Sequence, residues 1–134
     1  MIPQENIRIV QKAYQDFTSG NIPAILESLD EGVDWFIPGP KQVIPFAGQR
    51  RGRHEVAQFF SELAASLSAI EFEPQEYIAD TEKVVALGRQ KWQVKSTGRT
   101  YADDWAHVFW IASGKIVRFK EYHDTEAEAA AHRL

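Results

Sequence analysis

The apolar residues of this chain change their period near residue 70, and this change is the strongest constraint on its fold. Before it, apolar residues recur at helical spacing; after it, four strand-like runs follow one another, separated by short turn segments. Helices followed by consecutive antiparallel strands predict an α+β domain and not a βαβ array. The predicted strands cover residues 70–79, 83–95, 101–112 and 115–123.

The first half of the chain predicts three helices and one short strand. Apolar residues up to Phe17 recur at helical spacing, and the pattern stops before Gly20. Asn21 can cap a second, shorter helix, and a third helix is expected to begin after Gly52. Residues 33–37 predict a strand, which a proline-rich loop ends.

The end of the chain predicts a final helix over residues 125–133, which are rich in Ala and Glu. Asp124 precedes them and can accept backbone N–H groups as a helix N-cap. No internal repeat, low-complexity segment or linker is visible. Residues 1–134 are therefore expected to form a single domain.

Composition argues against several classes of function. The net charge is −4, and the one dense basic stretch, Arg50, Arg51 and Arg53, is short, so a solvated helix entry is expected there and no nucleic-acid partner. The chain has no cysteine, which excludes disulfides and thiolate chemistry. No signal peptide or membrane-spanning stretch is visible, so a cytoplasmic location without membrane contact is expected. No cofactor or metal motif is present, and none is expected.

The hairpin formed by the last two strands predicts which side chains face the interior. If Ser113-Gly114 is a two-residue turn, pairing proceeds outward from Ala112 and Lys115. One face is then apolar near the turn and polar further along, which is typical of a pocket with a few polar groups. A β-bulge would exchange the two faces beyond it. The predicted inner face carries the pairs Trp110–Val117, Val108–Phe119, Ala106–Glu121 and Asp104–His123.

Asp104, Glu121 and His123 are the candidate catalytic residues on this face. A carboxylate beside an imidazole can act as a general base, and a second carboxylate can orient the pair. Burial among aromatic rings would raise the pKa of a carboxyl group. The alternative is a solvated strand end at which these charges have no role. The expected walls of the ligand pocket are Tyr14, Phe17, Trp35, Gln90, Trp92, Val108, Trp110 and Phe119.

The opposite face of the hairpin is expected to be a surface or a partly polar dimer interface, because it carries Arg118 and Lys120. His107 falls on the same face in this register. A histidine whose hydrogen bonds are satisfied within the sheet, or a dimer contact, is the favoured interpretation of His107.

Five segments, spread in order over nearly the whole chain, carry a recognisable pattern. They are Tyr14–Asn21, Val33–Trp35 with the Pro-Gly loop after it, Thr97–Arg99, Trp105–Phe109 and Gly114–Thr125. Together they resemble the SnoaL-like, ketosteroid-isomerase-like family of the superfamily named for nuclear transport factor two. The resemblance implies a cone-shaped α+β fold, with N-terminal helices packed in a strongly curved antiparallel or mixed β-sheet around a pocket. It also implies a homodimer, which we expect to form through the outer sheet face.

The resemblance does not extend to the catalytic residues of ketosteroid isomerases. The positions of their general base, oxyanion carboxyl and tyrosine correspond here to Ile37, Ala106 and Ala13. A group that cannot take a proton cannot be a general base, so a true ketosteroid isomerase is not expected. Related epoxide hydrolases carry a catalytic aspartate at a strand ending similar to Asp124, for which helix capping is the favoured interpretation.

Three functions remain open, in this order of preference. The first is an isomerase-, cyclase- or hydrolase-type enzyme that uses acid–base chemistry on a small apolar carbonyl or epoxide compound. The second is a module that binds a small apolar ligand without converting it. The third is an association domain whose sheet face forms a dimer and whose pocket is vestigial.

Overall fold

The computed structural model describes residues 2–134 and confirms the predicted α+β class. One open, curved sheet holds all six strands in the order β2-β1-β6-β5-β4-β3. Pairing is antiparallel except between β1 and β6, which makes the sheet mixed. The elements in chain order are α1 Pro3–Thr18, α2 Ile22–Ser28, β1 Leu29–Ile37, β2 Gly48–Arg51, α3 Gly52–Ser66, β3 Leu67–Ala79, β4 Lys83–Val94, β5 Thr100–Ala112, β6 Lys115–Tyr122 and α4 Thr125–His132.

Both predicted helix caps form. The Asn21 side chain accepts a hydrogen bond from the backbone N–H of Ala24 at 3.3 Å, at the start of α2. The Asp124 side chain accepts one from the backbone N–H of Ala127 at 2.9 Å, at the start of α4. Each cap satisfies a backbone donor that the first helical turn leaves without a partner.

The edge of the sheet differs from the prediction. Residues 48–51, expected to belong to a loop and a helix entry, form the edge strand β2, which pairs with β1. Arg50 is buried and not solvated, and its guanidinium group lies 2.7 Å from the Glu62 carboxylate of α3. A four-residue strand that depends on a long-range ladder leaves no periodic signal in its own sequence.

A β-bulge in the β5–β6 hairpin overturns the predicted facing of β5. Ser113 and Gly114 both have positive φ, as a two-residue turn requires, and Ala112 pairs with Lys115 as expected. Trp110 then pairs with Arg118 and not with Val117, so β6 carries one extra residue. The shift exchanges the faces of β5 relative to β6. The inward-facing pairs beyond it are Phe109–Phe119 and His107–Glu121.

Gly88 of β4 leaves room for a large side chain on β5. The pairing of β3 with β4 is irregular on both sides of Pro74, which lies opposite Gly88. A Cβ atom at Gly88 would overlap the Trp105 indole ring and the Glu73 backbone carbonyl. The absence of a side chain there lets Trp105 pack against the strand, with 3% of its surface exposed.

The core lies between the helices and the concave face of the sheet. Val10 of α1 and Val56 of α3 are fully buried, as are Leu29 and Val33 of β1. This burial explains the apolar stripes that predicted the helices, because each stripe faces the sheet. No helix in residues 2–134 is long and apolar enough to cross a membrane.

Candidate functional site

The helices and the concave sheet face enclose a cavity of about 90 Å³. Its wall is mostly aromatic and aliphatic and includes residues from all four helices and from every strand except β2. A mainly apolar wall with a few convergent polar groups is typical of a small-molecule site. The polar side chains in the wall are Tyr14, Gln90, Tyr101, His107, Glu121, His123 and Glu128.

Eight of the residues singled out from the sequence lie in the cavity wall. They are Tyr14, Phe17, Trp35, Gln90, Trp92, Phe119, Glu121 and His123. They come from four separate elements, α1, β1, β4 and β6, and from the residue after β6, so only the tertiary structure brings them together. Trp35 and Phe119 stack with their ring centroids 4.1 Å apart.

Asp104, Val108 and Trp110 do not lie in the cavity wall, and their predicted inward facing is wrong. The β-bulge places all three on the outer face of β5. The Trp110 ring lies 4.5 Å from the guanidinium carbon of Arg118. Asp104 is exposed. The catalytic constellation expected from the sequence therefore loses one of its two carboxylates.

His107 pairs with Glu121, where the predicted register placed Ala106, and its predicted outward facing is wrong. Its Nδ1 atom lies 2.8 Å from the Tyr14 hydroxyl group, and its Nε2 atom lies 3.0 Å from Glu121 Oε2. The ring stacks on Trp105 with centroids 4.0 Å apart. His107 has 6% of its surface exposed, so these two hydrogen bonds are made in a poorly solvated place.

The protons in this chain of hydrogen bonds can be assigned from the chemistry of its ends. Burial raises the pKa of the Tyr14 hydroxyl group well above its ordinary value, so Tyr14 keeps its proton. Burial also acts to raise the pKa of Glu121, but the hydrogen bond from His107 and the nearby histidine charges outweigh it and lower the pKa. An ionised carboxylate only accepts. His107 therefore donates from Nε2 to Glu121 and, in its neutral form, accepts from Tyr14 at Nδ1.

His123 is the second histidine beside Glu121. Its Nε2 atom lies 2.6 Å from Glu128 Oε1, and its Nδ1 atom lies 3.7 Å from Glu121 Oε1. Burial acts to lower the pKa of His123, but the Glu128 hydrogen bond and the charges of Glu121, Glu128 and Asp103 raise it to about 9. His123 is thus a buried imidazolium at neutral pH. Within residues 2–134 its Nδ1 atom has no hydrogen-bond partner.

A separate set of hydrogen bonds fixes the wall at the end of β4. The Trp92 indole N–H donates to Gln90 Oε1 at 2.8 Å, and the Gln90 amide donates to Asp103 Oδ1 at 2.8 Å. The other Asp103 oxygen accepts from the Asp124 backbone N–H at 3.0 Å. Burial raises the pKa of Asp103, although these hydrogen bonds and His123 act against that increase. The set holds Trp92 and Gln90 in one orientation.

Glu128 and Tyr101 also lie in the cavity wall, although no sequence pattern predicted them there. Glu128 lies in an Ala-rich helix that the sequence presents as an ordinary surface element, yet it is 1% exposed. Only the packing of α4 against the sheet makes Glu128 part of the site. Among residues 2–134, no group of three or more His, Asp or Glu side chains is arranged to hold a metal ion.

An open depression on the surface adjoins the cavity between α1, α3 and β3. The lining of this depression is apolar apart from Thr18 and Glu71. The Glu71 carboxylate is 3.2 Å from the Arg89 guanidinium group. The side chains shared by the depression and the cavity separate the two spaces. They are Phe17, Phe60, Leu63, Leu67, Phe72 and Trp92.

The architecture and the site define a class of α+β proteins in which helices close a curved mixed sheet around an internal cavity. The chain belongs to the SnoaL-like domain family, whose model matches residues 10–119. The resemblance recognised in the sequence is thereby confirmed. No curated protein matches the sequence.

Solved structures of similar proteins support the same assignment. An NTF2-like protein from Burkholderia xenovorans LB400 is 32% identical, with 99% of each chain covered and a TM-score of 0.91. An NTF2-like protein of unknown function from Burkholderia pseudomallei K96243 is 24% identical, with 97% of this chain and 98% of that chain covered and a TM-score of 0.89. TerC, co-crystallised with polyporic acid, is 23% identical, with 96% and 98% covered and a TM-score of 0.85.

Proposed function

We propose that this protein is a cofactor-independent enzyme that moves protons on a small, neutral, apolar carbonyl compound. The observation that carries the proposal is the Glu121 carboxylate, which lies between His107 and His123 at the wall of an apolar cavity. A base and an acid that lie side by side in a poorly solvated site are the components that acid–base catalysis needs.

The arrangement gives each group a role. Glu121 removes a proton from the carbon next to the substrate carbonyl group, and the Nδ1–H group of His123 donates to the carbonyl oxygen. A carboxylate with a low pKa is a weak base, so stabilisation of the developing oxyanion by His123 has to supply much of the rate enhancement. His107 holds Glu121 through one oxygen and leaves Oε1, the oxygen nearer to His123, for the substrate.

The proton balance closes within the site for an isomerisation. After the first step Glu121 carries the substrate proton, and His123 has given its own proton to the oxygen to form an enol. Glu121 then returns its proton at another carbon, and the enol proton goes back to His123. Both groups regain their starting states without an external acid or base. A cyclisation that begins with the same proton removal would use the same pair.

The size and charge of the site limit the substrate. A cavity of about 90 Å³ is small beside ligand pockets of roughly 300–1,000 Å³, so we expect a compact ring in the cavity, with any remainder in the adjoining depression. Neither lining includes a Lys or Arg side chain, which disfavours substrates that carry phosphate or carboxylate groups. TerC, which shares the fold, was co-crystallised with a small molecule, polyporic acid, and this supports a ligand in the cavity.

The test is proton exchange at carbon. The protein is mixed with cyclohexanone in D₂O, and deuterium incorporation next to the carbonyl group is followed by NMR. We expect wild-type protein to accelerate exchange and Glu121→Gln to lose that acceleration by roughly 10²–10⁴-fold. Asp104→Asn, on the outer face, is the matched control and should behave as wild type. Full exchange activity in a folded Glu121→Gln variant would overturn the mechanism.

The alternative is a module that binds a ligand without converting it. Thermal unfolding with ligand, measured beside the exchange assay, distinguishes this module from an enzyme. Ligand at a hundred times its Kd should stabilise the protein by about 2.7 kcal/mol, which raises the Tm by several degrees. Stabilisation by cyclohexanone, acetophenone or styrene oxide without any exchange or turnover would favour the binding module. No stabilisation by any of these probes would favour an association domain.

We also propose that the protein forms a homodimer through the outer face of the sheet. This face carries Val85, Val108, Trp110 and Tyr122, which are half-buried or exposed. A second copy would cover these side chains and leave the cavity, on the opposite face, unchanged.

A further inference from the structure

The α4 helix places a buried carboxylate directly behind the candidate acid of the site. Glu128 is 1% exposed, and its two oxygens contact two different histidines. Oε1 lies 2.6 Å from His123 Nε2, and Oε2 lies 3.3 Å from Nε2 of His132, which is one helical turn further along α4. Glu128 thus connects the cavity wall to the end of the helix.

The packing of α4 alone does not call for an acid at position 128. Ala129 and Ala131 of the same helix are also buried, and their side chains are small and apolar. A carboxylate moved from water to the interior carries a large desolvation cost, which only paired charges and hydrogen bonds offset. Because an apolar residue would bury this position without that cost, the acid needs an explanation beyond packing.

His123 provides that explanation. Because Nε2 donates to Glu128, the ring, which lies in the cavity wall, cannot rotate without breaking that hydrogen bond, and Nδ1 stays on the side of Glu121, 3.7 Å from Oε1. Nδ1 is buried and has no hydrogen-bond partner within residues 2–134. A buried polar atom without a partner, in the wall of a cavity, points to a ligand group that completes it.

We propose that Glu128 is a positioning residue that, supported by His132, holds the His123 ring with its Nδ1–H group directed to a hydrogen-bond acceptor of the ligand. This inference rests on the proposed function, in which His123 is the acid. It identifies Glu128 as the group that orients His123 and keeps it protonated. It also assigns a role to α4, which otherwise only covers the end of the sheet.

The charged groups around His123 come from three elements, and each acts on its protonation. Glu121 faces it from β6, Glu128 from α4 and Asp103 from β5. All three favour the imidazolium form, in which Nδ1 donates. Within residues 2–134 Glu128 alone hydrogen-bonds to the ring, so removing its carboxylate should have the largest single effect on the His123 pKa. Burial raises the pKa of the Tyr101 hydroxyl group, and the nearby Glu128, Glu121 and Asp103 carboxylates raise it further, so Tyr101 stays neutral.

The experiment is a histidine side-chain NMR titration, which is tractable because the chain has four histidines. In wild type His123 should titrate near pH 9, above its ordinary value of 6.5. In Glu128→Gln its proton affinity should fall at least tenfold. Glu126→Gln, on the same helix but 78% exposed, is the matched control and should leave the His123 titration unchanged.

A second variant keeps the proposal testable if Glu128→Gln does not fold. Glu128→Asp keeps the charge but withdraws it from His123, and we expect an intermediate proton affinity that a purely structural role would not produce. The positioning role is overturned if wild-type His123 titrates at its ordinary value, or if a folded Glu128→Gln variant titrates as wild type does.

The ligand arm uses cyclohexanone and, as an apolar control, methylcyclohexane. Cyclohexanone should shift the His123 Nδ1 resonance, methylcyclohexane should not, and Glu128→Gln should weaken the cyclohexanone effect about tenfold. Since the titration needs no ligand, the two proposals fail separately. A lowered His123 proton affinity in Glu128→Gln together with no response to cyclohexanone would uphold the positioning role and count against the proposed enzyme.

Discussion

At the scale of single residues, His123 couples the stability of the fold to pH. Its pKa of about 9 in the folded protein exceeds the ordinary value of 6.5. Its contribution to stability is therefore fully present below about pH 6.5 and is lost as the pH rises through 9. A shift of this size corresponds to roughly 3–4 kcal/mol of unfolding free energy.

Urea unfolding from pH 6 to pH 10 checks this prediction. The unfolding free energy of wild type should decline over that interval, and the decline should be much smaller in Glu128→Gln. The same decline in both proteins would mean that other groups cause it. Glu121 has the opposite effect, because its pKa is lowered in the folded protein. It stabilises the fold at pH values above the ordinary pKa of a glutamate, and that stabilisation is lost as the pH falls through the lowered pKa.

The Asp124 side chain is predicted to act as a helix cap and not as a catalytic group. Asp124→Ala removes the acceptor for the Ala127 N–H and should cost about 1 kcal/mol of stability. Asp124→Asn keeps an acceptor oxygen and should remain close to wild type. Thermal unfolding of both variants, beside their rates of deuterium exchange into cyclohexanone, separates the two roles. Exchange abolished in stable Asp124→Asn would show that the carboxylate takes part in the chemistry.

At the scale of the elements, the contact between β4 and β5 depends on Gly88. Gly88→Ala places a methyl group where the Trp105 indole and the Glu73 carbonyl already lie. Overpacking of this kind costs roughly 1–3 kcal/mol, and we expect a Tm lower by several degrees. Gly32→Ala in β1, where the nearest atom to the new methyl is an Asp30 oxygen at 3.5 Å, is the control. Equal Tm values for the two variants would contradict the role given to Gly88.

At the scale of the whole molecule, the proposed dimer predicts a measurable mass. Light scattering at micromolar concentration should give twice the chain mass of 15.3 kDa. Val108→Glu places a charge on the outer sheet face and should give a monomer with an intact cavity. Gln58→Glu, on the exposed side of α3, should leave the dimer unchanged. A wild-type monomer would rule out the interface.

Much of the architecture follows from local sequence signals. The change of apolar period near residue 70 predicted helices followed by strands, and the strand boundaries agree with the structure to within a few residues. Asn21 and Asp124 predicted the starts of two helices, and Ser113-Gly114 predicted a two-residue turn. These features depend on backbone preferences and side-chain hydrogen bonds within a few residues, so a sequence states them directly.

The composition of the site was decided by the tertiary structure. One extra residue in β6 exchanged the faces of β5, so that His107 lies in the cavity wall and Asp104, Val108 and Trp110 lie outside. The burial of Glu128 depends on how α4 packs against the sheet. Side chains alternate between the two faces of a strand, and either face can point to the interior. A helix can likewise pack against the sheet with any of its sides. Only contacts between distant segments choose among these, and no local pattern in the sequence records that choice.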